Sequence, residues 1–354
     1  MRFGIFSNGF RPHTAAEQAY QADLEEIVLA DELGFEIAYI SEHHGEPLYI
    51  DKVDTLPVPE LLMCKAAGMT KQIKMGSAVK VIHLHHPLDT AIQAAVTDHV
   101  IGQGRFVFGF GSGFSSPLFC QERGLGFEDR HERLMESLDF ILRCWGTPAP
   151  FDWDGKYWRG KNICATPQPL AGSRIPMATA TDNEQMLHLA GARGYTLLTA
   201  HDPPHLLKQK TARYLAGAQI TGRQRTALGQ IAHARFIYVS NSRRQALDEI
   251  RNAATFELSF QIRRGLFRFV SRLYGWDLPE DQVTVDELAE RDWFIVGNPD
   301  DVAERLAGIF HESGGFGTLL MVTGKNWADR SGRLRSMRLF AEQVAPVLCP
   351  LEVG

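Results

Sequence analysis

The sequence predicts a single (β/α)8 TIM barrel spanning residues 1–354. Three observations carry that expectation. Short apolar stretches alternate with stretches of helical period along the chain, eight times over. Those apolar stretches lack a strict two-residue alternation, which suits parallel strands covered on both faces. The polar clusters fall at the C-terminal ends of the stretches, the face on which barrels carry their chemistry. An open doubly wound sheet is the rival for the same rhythm.

The elements follow in order. Residues 2–7 (RFGIFS) make the first strand. Thr14 and Glu17 then stand at capping-box spacing, and Tyr20, Leu24, Ile27 and Val28 repeat at helical spacing up to Gly34. Residues 35–41 (FEIAYIS) are the second strand, completing a βαβ unit. A helix from about 59 to 70 leads to the third strand, 73–79, and Pro87 suits the first turn of the next helix. The fourth strand is 104–111, followed by a helix over about 129–144. The fifth is 175–181, with a helix over 183–193, and the sixth is 195–200. The seventh is 231–240; a helix over 299–310 precedes the eighth, 317–323, and a last helix ends near Leu348.

Two segments break the rhythm. Residues 151–158 read as a hairpin insertion after strand four, with Asp154-Gly155 as its turn. Residues 256–294 read as a long insertion after strand seven and a candidate lid. There Ile262, Leu266, Phe269, Val270 and Leu273 make an apolar stripe, beside Arg263, Arg264, Arg268 and Arg272.

Composition narrows the function. A net charge of −5 gives no pull toward nucleic acid or an anionic membrane. No secretory leader and no apolar run of membrane-spanning length is seen. Five scattered cysteines without a CxxC pair argue against a disulfide framework or a structural zinc, so a cytoplasmic location is expected.

Four polar clusters sit at strand ends: Glu42, His43 and His44 after strand two; His83, His85 and His86 after strand three; Gly111, Ser112 and Gly113 after strand four; Thr179, Thr181, Asp182 and Asn183 after strand five. The imidazoles suit zinc or iron. Amidohydrolase-type barrels, however, place an H-x-H at the end of the first strand, where this chain has FSNGF. No G-x-S-x-G nucleophile motif is present, and GFGSGF (109–114) lacks the Lys-Ser/Thr of a P-loop. Amide groups at the start of the 183–193 helix, with Thr181 and Asn183, suit one phosphate. A histidine with a pKa near 6.5 suits proton transfer at neutral pH.

Seven stretches carry a resemblance: MRFGIF (1–6), GFEIAYISEHH (34–44), HP (86–87), TDHVIGQGRFVFGFGSG (97–113), VGNPDDVAERL (296–306), GGFGTLLMV (314–322) and NWAD (326–329). In their order and spacing the chain resembles the bacterial luciferase-like flavin-dependent monooxygenases, most like the limonene monooxygenase branch. The resemblance implies reduced FMN supplied by a separate flavin reductase, O2 as co-substrate, a hydrophobic organic substrate and a homodimer. It implies His43 as the catalytic histidine. Ala78 and Val79 match a non-proline cis peptide under the flavin ring. Gly111, Ser112, Thr179, Thr181, Asp182 and Asn183 fall in the loops that hold the rest of the cofactor. His83 and His85, in a loop richer in histidine than is usual for the family, are candidate substrate contacts. No metal is expected. Gly111 stands where luciferase has its reactive cysteine, so light emission is not implied, and Ser112 replaces a basic phosphate contact. Oxygen transfer by epoxidation, hydroxylation or Baeyer–Villiger insertion is the leading reading. A deazaflavin-dependent oxidoreductase, a metal-dependent hydrolase and a non-catalytic flavin-binding protein are the rivals.

Overall fold

A computed structural model describes residues 1–44, 56–113, 117–170, 175–263 and 265–352. The strands are, in chain order, β1 (Arg2–Phe10), β2 (Ile37–Ile40), β3 (Lys74–Ser77), β4 (Lys80–Val81), β5 (Phe106–Gly111), β6 (Phe151–Asp154), β7 (Arg159–Ile163), β8 (Met177–Ala180), β9 (Thr196–Ala200), β10 (Ile231–Val239), β11 (Phe294–Gly297) and β12 (Thr318–Lys325). Eight of them, β1, β2, β3, β5, β8, β9, β10 and β12, pair in parallel in that order. β12 then returns to β1, with Arg2 opposite Thr318 and Ser7 opposite Thr323. That closure excludes the open sheet.

Strand geometry sends successive side chains to opposite faces, and both faces are filled. Tyr39, Val107, Ala178, Leu198, Ala232, Ala234 and Leu320 belong to the core inside the barrel. Ile40, Phe106, Phe108, Phe110, Leu197 and Leu319 belong to the core under the helices. This double burial is why the strands read as unbroken apolar runs. Helices Glu184–Arg193 and Pro204–Ile220 meet backbone to backbone. A Cβ on Gly191 or Gly217 would lie 1.9 Å from the carbonyl oxygen of Tyr214 or His188, so only glycine permits the approach. That crossing brings Lys210 to the loop after β8.

The structure corrects several local expectations. The first helix starts at Ala16 with Ala15 as its N-cap and no side-chain cap. The Thr14 hydroxyl instead donates to Pro12 O and accepts from Asn326 Nδ2, so Thr14 and Glu17 form no capping box. The hairpin exists, but its turn covers Gly155 to Trp158 and its second strand runs to Ile163. The cause is Glu136, whose carboxylate accepts from the backbone N–H groups of Lys156, Tyr157 and Trp158 and from the Trp153 indole. Helices Pro204–Ile220 and Arg243–Arg263 lay outside the sequence reading.

The segment 256–294 is not a single insertion. Its first residues are the end of the helix Arg243–Arg263. Helices Leu266–Tyr274 and Val285–Glu290 follow, and Phe294 opens β11, which pairs with β10. Ile262 therefore lies on one helix and Val270 and Leu273 on another, while Arg264 and the side chains of Leu266 and Phe269 lie outside the described residues. Phe267, Val285, Leu288 and Ala289 are buried. The seam against the rim leaves a cavity of about 20 Å3, lined in part by Phe236, Phe267, Trp276 and Trp293. That is room for about one water.

Candidate active site

Directly after β2 the chain turns into the mouth of the barrel. The Ser41 hydroxyl donates to Ser7 O, and the His43 N–H donates to Leu56 O at 2.8 Å. His43 is half-buried there. The Glu42 side chain is fully buried. Its Oε1 accepts from Nε2 of both His44 and His85, each at 2.6 Å. Its Oε2 accepts from the Val81 N–H at 3.1 Å and lies 3.5 Å from Lys80 Nζ, which also pairs with Glu60. Burial alone would raise the Glu42 pKa. The two histidine hydrogen bonds and the Lys80 charge outweigh it and hold the carboxyl well below its usual range. Glu42 is therefore ionised at neutral pH.

The histidines of the next loop have three different surroundings. His83 is wholly buried under the helix Arg130–Gly146. Burial, followed by the nearby Arg133 and Arg130 charges, pushes its pKa down to about 4. His83, one of the two candidate substrate contacts, is thus packed away from the surface. The side chain of His85 keeps 27 % of its surface exposed. His86 caps the helix Pro87–Ile101, accepting from the Leu88 N–H.

The loops expected to hold the cofactor come from neighbouring strands. The Ala78–Val79 peptide is cis, at the position that the family resemblance implies. Ala78 and Ala180 face the barrel interior, and Gly111 packs so tightly that a Cβ there would lie 2.9 Å from Val79 and 3.1 Å from Ala180 O. Ser112 follows on the rim, half-buried. Thr179 is buried and alternates with the inward-facing Ala178 and Ala180, so its side chain points to the helices and away from the mouth. Thr181 Oγ1 accepts from the Asn183 N–H, and Asn183 Oδ1 caps the next helix by accepting from the Met186 N–H at 3.0 Å. Asp182 is held by Lys210, whose Nζ lies 2.5 Å from it and 2.7 Å from Asp202.

Lys210, Asp202 and His201 were missed in the sequence. Their signal was TAHDPP (199–204), a polar turn after strand six of the same kind as the four that were read. The His201 ring stacks on Phe236 with centroids 3.8 Å apart, and burial drives its pKa far down. Lys325 was also missed. Its Nζ lies 2.5 Å from Glu257 and over the Phe10 and Phe236 rings.

Residues 1–316 match one family, described as luciferase-like monooxygenase. The chain belongs to that family. A relative, the 4-hydroxyprotoasukamycin monooxygenase of Streptomyces nodosus subsp. asukaensis, is 29 % identical over 337 residues, covering 92 % of this chain and 85 % of the relative. Limonene 1,2-monooxygenase of Rhodococcus erythropolis is 28 % identical over 359 residues, covering 97 % and 86 %. The fold matches that of the oxygenating constituent of 3,6-diketocamphane monooxygenase of Pseudomonas putida, a type II Baeyer–Villiger monooxygenase solved with FMN. That TM-score is 0.85 at 23 % identity, covering 100 % of this chain and 99 % of the other. A luciferase-like monooxygenase is an enzyme, so the non-catalytic reading falls away. Among the described residues, no helix of this monooxygenase is long and apolar enough to cross a membrane.

Proposed function

We propose that this luciferase-like monooxygenase is the oxygenase component of a two-component system. It takes reduced FMN from a separate flavin reductase and places one oxygen atom from O2 in a hydrophobic organic substrate. The observation that carries this reading is the mouth itself. Small residues (Ala78, Gly111, Ala180) form a floor that admits a flat ring, and a capped helix start at Asn183 faces the same end of the barrel. A helix start offers N–H groups and a positive dipole end to a phosphate. Lys210 offsets Asp182 and Asp202, which would otherwise repel it. The names of the relatives support oxygen transfer, and the FMN complex of the diketocamphane enzyme supports the cofactor.

Bound reduced FMN supplies the electrons that activate O2. The chain's own residues do the rest. His43, at the end of β2, donates or accepts the proton that accompanies oxygen transfer. The aromatic rim of Phe236, Trp276 and Trp293, backed by the segment 256–294, keeps water from the reacting atoms. His85 meets the substrate while bonded to the Glu42 oxygen that it shares with His44.

The working form is a homodimer. Leu61 is 71 % exposed and Val100 58 % exposed, on the adjoining helices Pro59–Ala67 and Pro87–Ile101, with Val58, Met69 and Val96 also exposed nearby. Apolar surface of this kind suits a second subunit. All five cysteines are unpaired, which supports a cytoplasmic setting.

The test is to supply enzymatically reduced FMN under 18O2 with a panel of terpene alkenes, cyclic ketones and polycyclic aromatics. One labelled oxygen atom in the product is expected, and the product class separates epoxidation, hydroxylation and Baeyer–Villiger insertion. Turnover with a reduced deazaflavin and none with reduced FMN would overturn the reading.

A further inference from the structure

We propose that Glu42 is a positioning residue that holds His85 in its Nε2–H tautomer, presenting the His85 Nδ1 lone pair as a proton acceptor in the mouth beside His43, while Arg123 withholds that role from His44. The part played in turnover rests on the monooxygenase reading above; the tautomers do not.

An ionised carboxylate only accepts hydrogen bonds. Both imidazole Nε2 atoms on Glu42 Oε1 must therefore carry the hydrogen. The carboxylate does not swing away, because its other oxygen is held by the Val81 N–H and flanked by Lys80. The two histidines then differ at their second nitrogen. Arg123 Nη2 lies 3.3 Å from His44 Nδ1, and a guanidinium only donates. His44 thus has both nitrogens engaged, and protonating Nδ1 would set one N–H against another. His85 Nδ1 makes no hydrogen bond among the described residues, and the His85 side chain is the more exposed of the two, 27 % against 16 %. One carboxylate therefore orients two histidines, and only one of them is left able to take a proton. When it does, the donor becomes its conjugate base, an Nδ1–H bond forms, and Glu42 compensates the imidazolium charge at 2.6 Å.

The same three side chains place possible metal-ligand atoms within 4.8 Å of one another. A divalent ion bound through both Nε2 atoms would force the His44 hydrogen onto Nδ1, toward the Arg123 guanidinium, and would sit beside Lys80. The hydrogen-bonded arrangement avoids both conflicts.

Long-range 1H–15N correlation spectra of histidine-labelled protein, above the histidine titration range, read the tautomers without any turnover. Nε2–H is expected for both His44 and His85. In Glu42→Gln the amide oxygen is held by Val81 and Lys80, so its NH2 group faces His85, which should switch to Nδ1–H. Product per reduced FMN should fall about tenfold in this variant. If Glu42→Gln does not fold, Arg123→Gln should leave His85 as Nε2–H and move the His44 Nδ1 resonance toward that of a ring nitrogen without a donor. Three results would overturn the proposal: Nδ1–H at His85 in the unmodified protein, no change at His85 or His44 in the respective variant, or stoichiometric zinc or iron in the purified protein. If no substrate is oxygenated, the spectra still decide the positioning role, and only the function reading fails.

Discussion

Replacing His83 with leucine should flatten the pH dependence of stability. His83 is wholly buried and carries a pKa pushed down to about 4, whereas an unfolded chain titrates its histidines near 6.5. Between those values the unfolded state binds more protons, so stability rises with pH through the window. The contribution is fully present above about pH 6.5 and is lost as the pH falls toward 4. The interval corresponds to roughly 3 kcal/mol in all, of which about 1.4 kcal/mol is already gone near pH 5.5. Leucine has a similar volume and no proton to bind, so the variant should not suffer that loss.

The assay is urea unfolding of both proteins at about pH 7.5 and about pH 5.5. His201 and His233 are also buried with pKa values driven down, and act in the same direction. They are present in both proteins, so their effect cancels in the comparison. The unmodified protein should lose about 1.4 kcal/mol more than the variant between the two conditions. Equal losses would mean that His83 is solvated or protonated in the folded state, and its assignment as a packed, neutral histidine would fall.

Four other outcomes are expected. His43→Ala should keep the fold and lower product per reduced FMN at least roughly tenfold, with hydrogen peroxide released in its place; unchanged coupling removes His43 from the mechanism. Asn183→Asp preserves the helix cap, because both residues cap equally well, but adds charge beside Asp182. It should weaken FMN by about 1–3 kcal/mol and riboflavin little; equal losses would place the phosphate elsewhere. Leu61→Glu with Val100→Glu should halve the mass seen by light scattering, and a monomeric parent protein would refute the dimer. Trypsin at Arg263, Arg268 and Arg272 should be slow with or without flavin, because Phe267, Val285 and Leu288 anchor the segment in the core; fast cleavage only in the free protein would support the lid expectation instead.

The barrel was legible because its signals are local. Each of the eight strands is an apolar run with its own boundaries, and Pro87 and Asn183 mark helix starts within a residue. What failed to show depends on residues far apart in the chain. The hairpin turn is longer than its Asp154-Gly155 signature because Glu136 collects three backbone N–H groups. Thr14 looked like a cap, but Asn326 engages its hydroxyl.

The site divides in the same way. Sequence position assigns a residue to a strand end, and parity then decides which way its side chain faces: Thr179 is turned to the helices and Ala180, which the sequence did not single out, to the barrel interior. Neither rule says what lies beyond the side chain. His83 and His85 are two residues apart, yet one is sealed under a helix that carries Arg130 and Arg133 and the other reaches back to Glu42. Each fate is set by a partner some forty to fifty residues away. The result is a division of labour by charge. Where burial meets like charge, as at His83, His201 and His233, the ring stays neutral and serves packing. Where a buried carboxylate is held ionised by two ring N–H groups and a lysine, as at Glu42, a proton added to a ring beside it leaves no unpaired charge. Of the two histidines on Glu42, the carboxylate and Arg123 therefore decide which keeps a free lone pair, although the histidines are what the sequence displays.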